Sequence, residues 1–564
     1  METLDWIVIG LFFMAMIGII VWVMKQKQNN SADYFLGGRD ATWIAIGASI
    51  FASNIGSEHL IGLAGAGASS GMAMAHWEIQ GWMILILGWV FVPFYSRSMV
   101  YTMPEFLERR YNSLSRTILS LISLISYVLT KVAVTVYAGG LVFQQVFGIK
   151  ELWGIDFFWI AAIGLVLLTA LYTIIGGMKS VLYTSVLQTP ILLVGSLIIL
   201  VLGFKALGGW DEMMSICSAV TVNDYGDNMT NLIRSNNDPN FPWLGALLGS
   251  AIIGFWYWCT DQFIVQRVLS GKDQKESRRG TIFGAYLKLL PVFLFLIPGM
   301  IAFALHQKYM AENGTTFLPL LANGNPNADA AFPTLVAKLL PAGVKGLVVC
   351  GILAALMSSL ASLFNSSAML FTIDFYKRLK PKTTEKKLVV IGQIATVVIV
   401  ILGILWIPIM KSVGDVLYTY LQDVQSVLAP GIASAFLLGI CWKRTSAQGG
   451  LWGLLSGMII GLTRLGAKVY YSNVADASNN LFKTVFYDTN WLFFCGWMFL
   501  FCIVVVVIVS LCTEAPSKEK IQGLVFGTST NEQLATTRDS WDKWDVINTI
   551  IILGITVAFY IYFW

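Results

Sequence analysis

Charge is scarce in this 564-residue chain: Asp, Glu, Lys and Arg together make up 12% of it, about half the roughly 25% of an ordinary soluble domain. With 56% hydrophobic residues and a mean hydropathy of +0.70, that deficit excludes a soluble globular protein and places the chain in a bilayer. Histidine is scarcer still, three in all, and the seven cysteines show no CxxC spacing and the histidines no HExxH, so there is no metal-site signal. The cysteines at 259, 350, 441, 495, 502 and 512 fall in or beside apolar runs and read as packing residues. Cys217 alone is expected to face an aqueous loop, and one thiol makes no disulfide framework. No nucleophile and base pair stands out, which leaves an enzyme without support. Nothing in the charge pattern suggests nucleic acid. The first apolar run begins almost at Met1 and no small-residue cleavage pattern follows it, so it reads as a retained helix rather than a signal peptide.

Apolar runs are what the chain has in abundance. Counted against ~20 residues per crossing, they predict about fourteen helices, beginning with 4–24, 41–67 and 79–101 and ending with 491–511 and 544–564. An even number puts both termini on one side. The loops with Lys25 and Arg39, with Arg97 to Arg110, with Lys272 to Arg279, with Lys377 to Lys387, and with Lys443 and Arg444 all alternate onto one face. The positive-inside rule makes that face cytoplasmic and leaves both termini outside, in a multi-pass protein of the plasma or inner membrane. The longer loops 205–243 and 307–342 then lie outside, as lids over an entrance or as plain surface.

Helices two to six and seven to eleven form two sets of five. An odd number of crossings inverts the second set, as an inverted repeat with a midplane site requires. The expected fold is all-α, with a peripheral helix and cytoplasmic loop (1–40), a first five-helix repeat (41–205), an outer loop (206–243), a second, inverted repeat (244–441) and peripheral C-terminal helices (442–564) with a polar cytoplasmic linker (513–543). The first helix of each set is unusual. Ala52-Ser53-Asn54-Ile55-Gly56-Ser57-Glu58-His59 puts polar residues, a glycine and a carboxylate where a lipid-facing helix would carry leucines. Gly254-Phe255-Trp256-Tyr257-Trp258-Cys259-Thr260-Asp261-Gln262 does the same in the second set. Two such segments in corresponding positions point to a transporter's substrate site.

Ionisable residues within crossings cost ~2.5 to 3.5 kcal/mol on insertion scales, so pairing or function must retain them. Glu58, Lys131, Asp261, Lys288 and Asp423 qualify, with Glu78 at a helix start. Lys131 and Asp261 read as structural pairs with neighbours, whereas Glu78 and Lys288 are better ligand candidates. A sugar offers hydroxyls that donate and accept beside an apolar ring face, and so calls for carboxylate, amide, imidazole and ammonium groups with an aromatic plate. Asn54, His59, Glu78, Lys288 and Gln422 with Trp77, Tyr257 and Trp258 supply that inventory. Ala354-Ala355-Leu356-Met357-Ser358-Ser359-Leu360 reads first as close helix packing. Its two adjacent hydroxyls are also suited to join carbonyls freed at 52–55 in an oxygen cage of the kind hard cations favour.

At these residues the chain resembles the sodium/solute symporter family and its sodium/sugar (glucose or galactose) branch. The landmarks are ASNIGSEH at 52–59, YTMPEFLERRY at 101–111, YTIIGGMKS at 172–180, DPNFPW at 238–243, WYWCTDQFIVQR at 256–267, GAYLKL at 284–289 and LMSSLASLFNSS at 356–367. The resemblance implies a leucine-transporter-like core. It implies sodium held by carbonyls of Ala52, Ile55 and Ala355 with the hydroxyls of Ser358 and Ser359, and sugar met by His59, Glu78, Lys288 and Gln422. Asn54 would link the two regions, Tyr257 would form the inner gate beside Trp258, and Leu63, Trp77 and Tyr418 would form the outer gate. The stretch Tyr183-Thr184-Ser185-Val186-Leu187-Gln188 departs from relatives that carry aspartate at the third position, which favours one sodium per sugar. Gly254 replaces a polar side chain used by some relatives. The function so implied is sodium-driven import of a neutral hexose, with sodium/myo-inositol or other polyol symport as the alternative. A sugar sensor that does not transport is the rival of another class, although such proteins usually append a signalling domain. Sodium, a neutral sugar and the lipid bilayer are the expected partners of a monomer or homodimer.

Overall fold

In the computed structural model the chain is almost wholly helical, and the structure describes residues 1–26, 30–56, 58–321, 323–410, 417–472 and 480–564. Twelve helical stretches among them are long and apolar enough to cross a membrane. One of these, Phe157–Leu207, has 51 residues, and a straight helix of that length would run ~77 Å, more than twice the ~30 Å hydrocarbon core. It turns at Gly177, whose φ of 53° is open to glycine and strained for other residues, and so supplies two crossings. A further crossing is discontinuous, made of Trp43–Asn54 and the helical turns Glu58–Leu63 and Ala64–Ser70. About fourteen crossings result among the described residues, the number that the apolar runs predict.

Burial separates centre from periphery. The apolar window of Val344–Leu379 is 89% buried within the protein, whereas those of Thr3–Met24 and Lys543–Tyr562 are 22% buried and leave most of their apolar surface for lipid. The central helices approach closely through small residues. Ala64–Ser70 crosses Ile297–Asn313 where Gly67 lies against the Leu296 carbonyl and Gly299 against the Ala64 carbonyl. Without aliphatic bulk, backbone meets backbone, the usual way helices associate when lipid is as apolar as leucine.

The helices expected to be irregular are broken at corresponding points. Trp43–Asn54 ends at Ile55 in extended backbone (φ −79°, ψ 101°). In the other set Trp243–Gly254 runs into the wide turns Phe255–Thr260 and stops at Asp261, again extended (φ −76°, ψ 127°), before Gln262–Leu269 begins. Asp261 caps that second half by accepting from the Phe263 N–H at 3.3 Å.

Several sequence landmarks turn out to fasten the face that carries the lysine- and arginine-rich loops. Arg110 donates to the carbonyls of Gly439 (2.7 Å) and Thr445 (2.9 Å), and the Tyr111 hydroxyl donates to Ala435 (2.7 Å). Arg116 pairs with Asp374 (2.6 Å) and Glu108 (2.6 Å). The linker 513–543 is more ordered than a spacer. It carries the helices Lys518–Ile521 and Asn531–Asp539, and Arg97 donates to Ser529 (2.7 Å) and Thr537 (2.6 Å) of it. Cys217 departs from expectation: it lies on Trp210–Ser218 with no solvent exposure, because this part of the loop folds into a helix that turns this side onto the protein.

A side chain at Gly299 has to push backbone apart, and overpacking of this kind costs about 1–3 kcal/mol or more. Gly299→Val is therefore expected to lower the thermal midpoint of the purified protein in detergent by several degrees, and Gly10→Ala, where a Cβ meets nothing within 4 Å, to leave it unchanged.

Candidate functional site

The two helix breaks face a common cavity of about 60 Å³. Asn54 is the last residue of the first half-helix and His59 lies in the first turn of the second, so the interruption aims both at one space. Glu78 ends the short helix Ala75–Glu78, and Lys288 ends Gln274–Lys288. Neither could face inward from the middle of a lipid-exposed surface without an unpaired charge, and the fold pairs them. Lys288 Nζ stands 2.6 Å from Glu78 Oε2 and donates to Asn54 Oδ1 at 3.0 Å. His59 Nε2 reaches the same Glu78 oxygen at 3.2 Å. All four side chains are buried, so the charges are answered inside a low-dielectric wall rather than by water.

The aromatic plate joins this network. Asn54 Nδ2 donates to the Tyr257 hydroxyl at 3.1 Å, and Tyr257 meets Trp258 edge-on at 4.9 Å. Trp258 Nε1 donates to Gln80 Oε1 (3.2 Å), whose amide donates in turn to the Ser250 carbonyl (2.8 Å). Gly254 makes room for that arrangement, since a Cβ there would stand 2.5 Å from Gln80 Oε1. The polar group that Gly254 lacks is thus replaced in space by Gln80, from the turn between Ala75–Glu78 and Gly81–Ile86.

Lys131 and Asp261, expected to pair with neighbours, pair with each other. Their charged atoms lie 2.7 Å apart, Tyr127 also donates to Asp261, and Lys131 Nζ sits 4.8 Å from the centre of the Tyr257 ring. Asp423 pairs with Lys468.

Ala355, Ser358 and Ser359 occupy one turn of Val344–Met369, buried against the first broken helix. Ser53 and Ser362 share a hydrogen bond of 2.7 Å between those helices. Ser359 reaches the cavity wall, and Ser358 lies 3.2 Å from the Ser185 hydroxyl. Ser358 and Ser359 thus present two hydroxyls on the helix that packs against the first broken one, donors of the kind a hard monovalent cation favours.

Of the residues expected to form the outer gate, Leu63 is fully buried and Trp77 stacks on Trp491 at 5.5 Å. The Tyr418 side chain lies outside the described residues. Gln422 lines the cavity, as expected. Gln80 escaped the sequence because nothing marks a glutamine between two short helices as facing inward. Glu58 carried a signal, being a carboxylate within a crossing, and it too lines the cavity. Two atoms of the wall are orphaned among the described residues: Gln422 Oε1, an acceptor, and Trp77 Nε1, a donor, are buried with no hydrogen-bond partner.

Because Glu78 is held by Lys288, removing the cation alone strands a buried carboxylate. Lys288→Met should lower stability by about 3 to 5 kcal/mol, read as a drop in thermal midpoint in detergent. Adding Glu78→Gln should recover most of the loss, and two independent, additive losses would contradict the pairing.

The family model described as "Sodium:solute symporter family" matches residues 34–457. Sodium/myo-inositol cotransporter 2 of Mus musculus is 37% identical over 543 residues, covering 94% of this chain and 80% of that one. The sodium/myo-inositol cotransporter of Homo sapiens is 36% identical over 555 residues, covering 94% and 76%. Among solved structures, a sodium-coupled sialic acid symporter in a substrate-bound outward-open state matches 92% of this chain and 99% of its own with a TM-score of 0.73. At 22% identity, that likeness shows a common fold.

Proposed function

This chain belongs to the sodium:solute symporter family, as a multi-pass, sodium-coupled membrane transporter and not an enzyme, and from that premise we propose that its cargo is a neutral ring polyol of the myo-inositol type rather than a glucose- or galactose-type hexose. The observation that carries the reading is the pair of orphaned atoms in the cavity wall. Gln422 Oε1 needs a donor and Trp77 Nε1 an acceptor, and a hydroxyl is both at once. Among the described residues both lysines of the wall are paired, Lys288 with Glu78 and Lys131 with Asp261, so neither awaits a carboxylate substrate. The names of the similar proteins favour inositol among the neutral polyols.

In this reading Asn54, His59, Glu78, Lys288 and Gln422 bind ring hydroxyls, Tyr257 stacks beneath the ring beside Trp258, and Leu63, Trp77 and Tyr418 close the outer side. Sodium sits on the carbonyls of Ala52, Ile55 and Ala355 and the hydroxyls of Ser358 and Ser359. One sodium accompanies each cargo molecule, since Ser185 provides no carboxylate for a second. Repeats 41–205 and 244–441 form the moving core and residues 1–40 and 442–564 flank it, with both termini outside the plasma or inner membrane. Sodium bridges the first helix break to the Ser358 turn, which favours the outward-open packing and completes the Asn54 wall. Cargo binding then closes the outer gate and the two halves rock inward. One charge crossing ~100 mV provides about 2.3 kcal/mol, and a tenfold sodium gradient adds about 1.4. Together these sustain roughly 500-fold accumulation.

Uptake into proteoliposomes under a sodium gradient tests both halves of the reading. Myo-inositol should be taken up in preference to glucose, galactose and mannose, and a glucose preference would reinstate the hexose. Ser359→Ala should remove about nine-tenths or more of the sodium stimulation, as losing one ligand of a small oxygen cage implies. Unchanged sodium dependence would remove the cation assignment.

A further inference from the structure

We propose that Glu58 sets the preference for ring polyols over pyranose sugars, an inference that rests on the cargo reading above. Glu58 lines the same cavity as His59 and Glu78. Its carboxylate folds back over the helix break: a Cβ on Gly56 would stand 2.5 Å from one of its oxygens and 3.1 Å from the other. Glycine at position 56 thus leaves the space the carboxylate occupies.

The other acidic groups at the site are engaged. Glu78 is held by Lys288 at 2.6 Å and His59 at 3.2 Å, and Asp261 by Lys131 at 2.7 Å. Among the described residues Glu58 enters no ion pair, and its side chain lines the cavity, which leaves it acceptor capacity to offer a ligand there. An ionised carboxylate accepts hydrogen bonds and cannot donate them.

That one-sidedness discriminates between two ligands of similar size. Every ring carbon of an inositol bears a hydroxyl, so whichever edge meets Glu58 presents a donor. A pyranose has a ring oxygen without a proton, and an edge led by that oxygen sets acceptor against acceptor. A hexose can turn another hydroxyl toward Glu58 only by giving up its register against Lys288, Gln422 and the Tyr257 ring. A site built to receive a donor penalises the analogue that lacks one, because the buried acceptor is left unpaired.

The test uses the full-length protein in proteoliposomes with a sodium gradient, comparing wild type with Glu58→Gly and Glu58→Gln. The readouts are the KM for myo-inositol and the inhibition constants of glucose and of single-position deoxy-inositols. Loss of a hydrogen bond to a charged group corresponds to about a tenfold to hundredfold rise in KM for myo-inositol. The inhibition constant for glucose should move by less than about threefold, within the range of a neutral contact. One deoxy-inositol should be poor against wild type yet equal to inositol in Glu58→Gly, which marks the hydroxyl that Glu58 receives. Equal changes for myo-inositol and glucose in both variants, or no change in either, overturn the inference while the cargo reading stands. Wild-type preference for glucose overturns the cargo reading and this inference with it. Glu58→Gln keeps the shape of the side chain, so a folding defect confined to Glu58→Gly leaves the comparison decisive.

Discussion

A helix broken inside a bilayer frees backbone groups that lipid cannot answer, and every other feature of this site follows from how the protein answers them. The break at Ile55 leaves carbonyls at the end of Trp43–Asn54 and swings Asn54 and His59 toward one space. The break at Asp261 is answered differently, by the aspartate's own side chain capping the next half-helix while Lys131 and Tyr127 hold its charge. One break is closed by protein, and the other leaves its carbonyls at the end of a half-helix. The two halves of the repeat are therefore alike in backbone and unlike in chemistry.

Charge pairing does the rest. Lys288, Glu78, His59 and Asn54 come from four separate helical segments and meet within 3.2 Å contacts. Such a network ties those segments together only in one arrangement, because moving any of them strands a buried charge. Its tie to Tyr257 through Asn54 puts that ring in the same circuit. A ligand that replaces one of these contacts changes the balance between packings, the physical requirement for coupling ion and cargo.

Much of this was legible beforehand. The helix count followed from apolar runs, since a bilayer demands their length. Both broken segments announced themselves by polar residues out of place, Lys288 by being charged within a crossing and Glu78 by its charge at a helix start. Cys217 was misread because its loop, judged by composition alone, carries no sign of the helix that buries it. The ordered linker 513–543 was missed for a similar reason: its contacts are made by Arg97, more than four hundred residues away in sequence. Gln80 could not have been found, as its importance comes from filling the room that Gly254 leaves.

By itself the sequence determined that this protein spans a membrane, where its helices break and which residue types can serve hydroxyls and sodium. Those properties depend on local composition read against one requirement of the bilayer. Tertiary structure alone decided the partnerships: Glu78 with Lys288, Lys131 with Asp261, Ser358 beside Ser185, and Glu58 left without an ion pair among the described residues. Pairing is a matter of ångströms between segments far apart in the chain, and at that range a few tenths decide which charges cancel and which remain to meet a ligand.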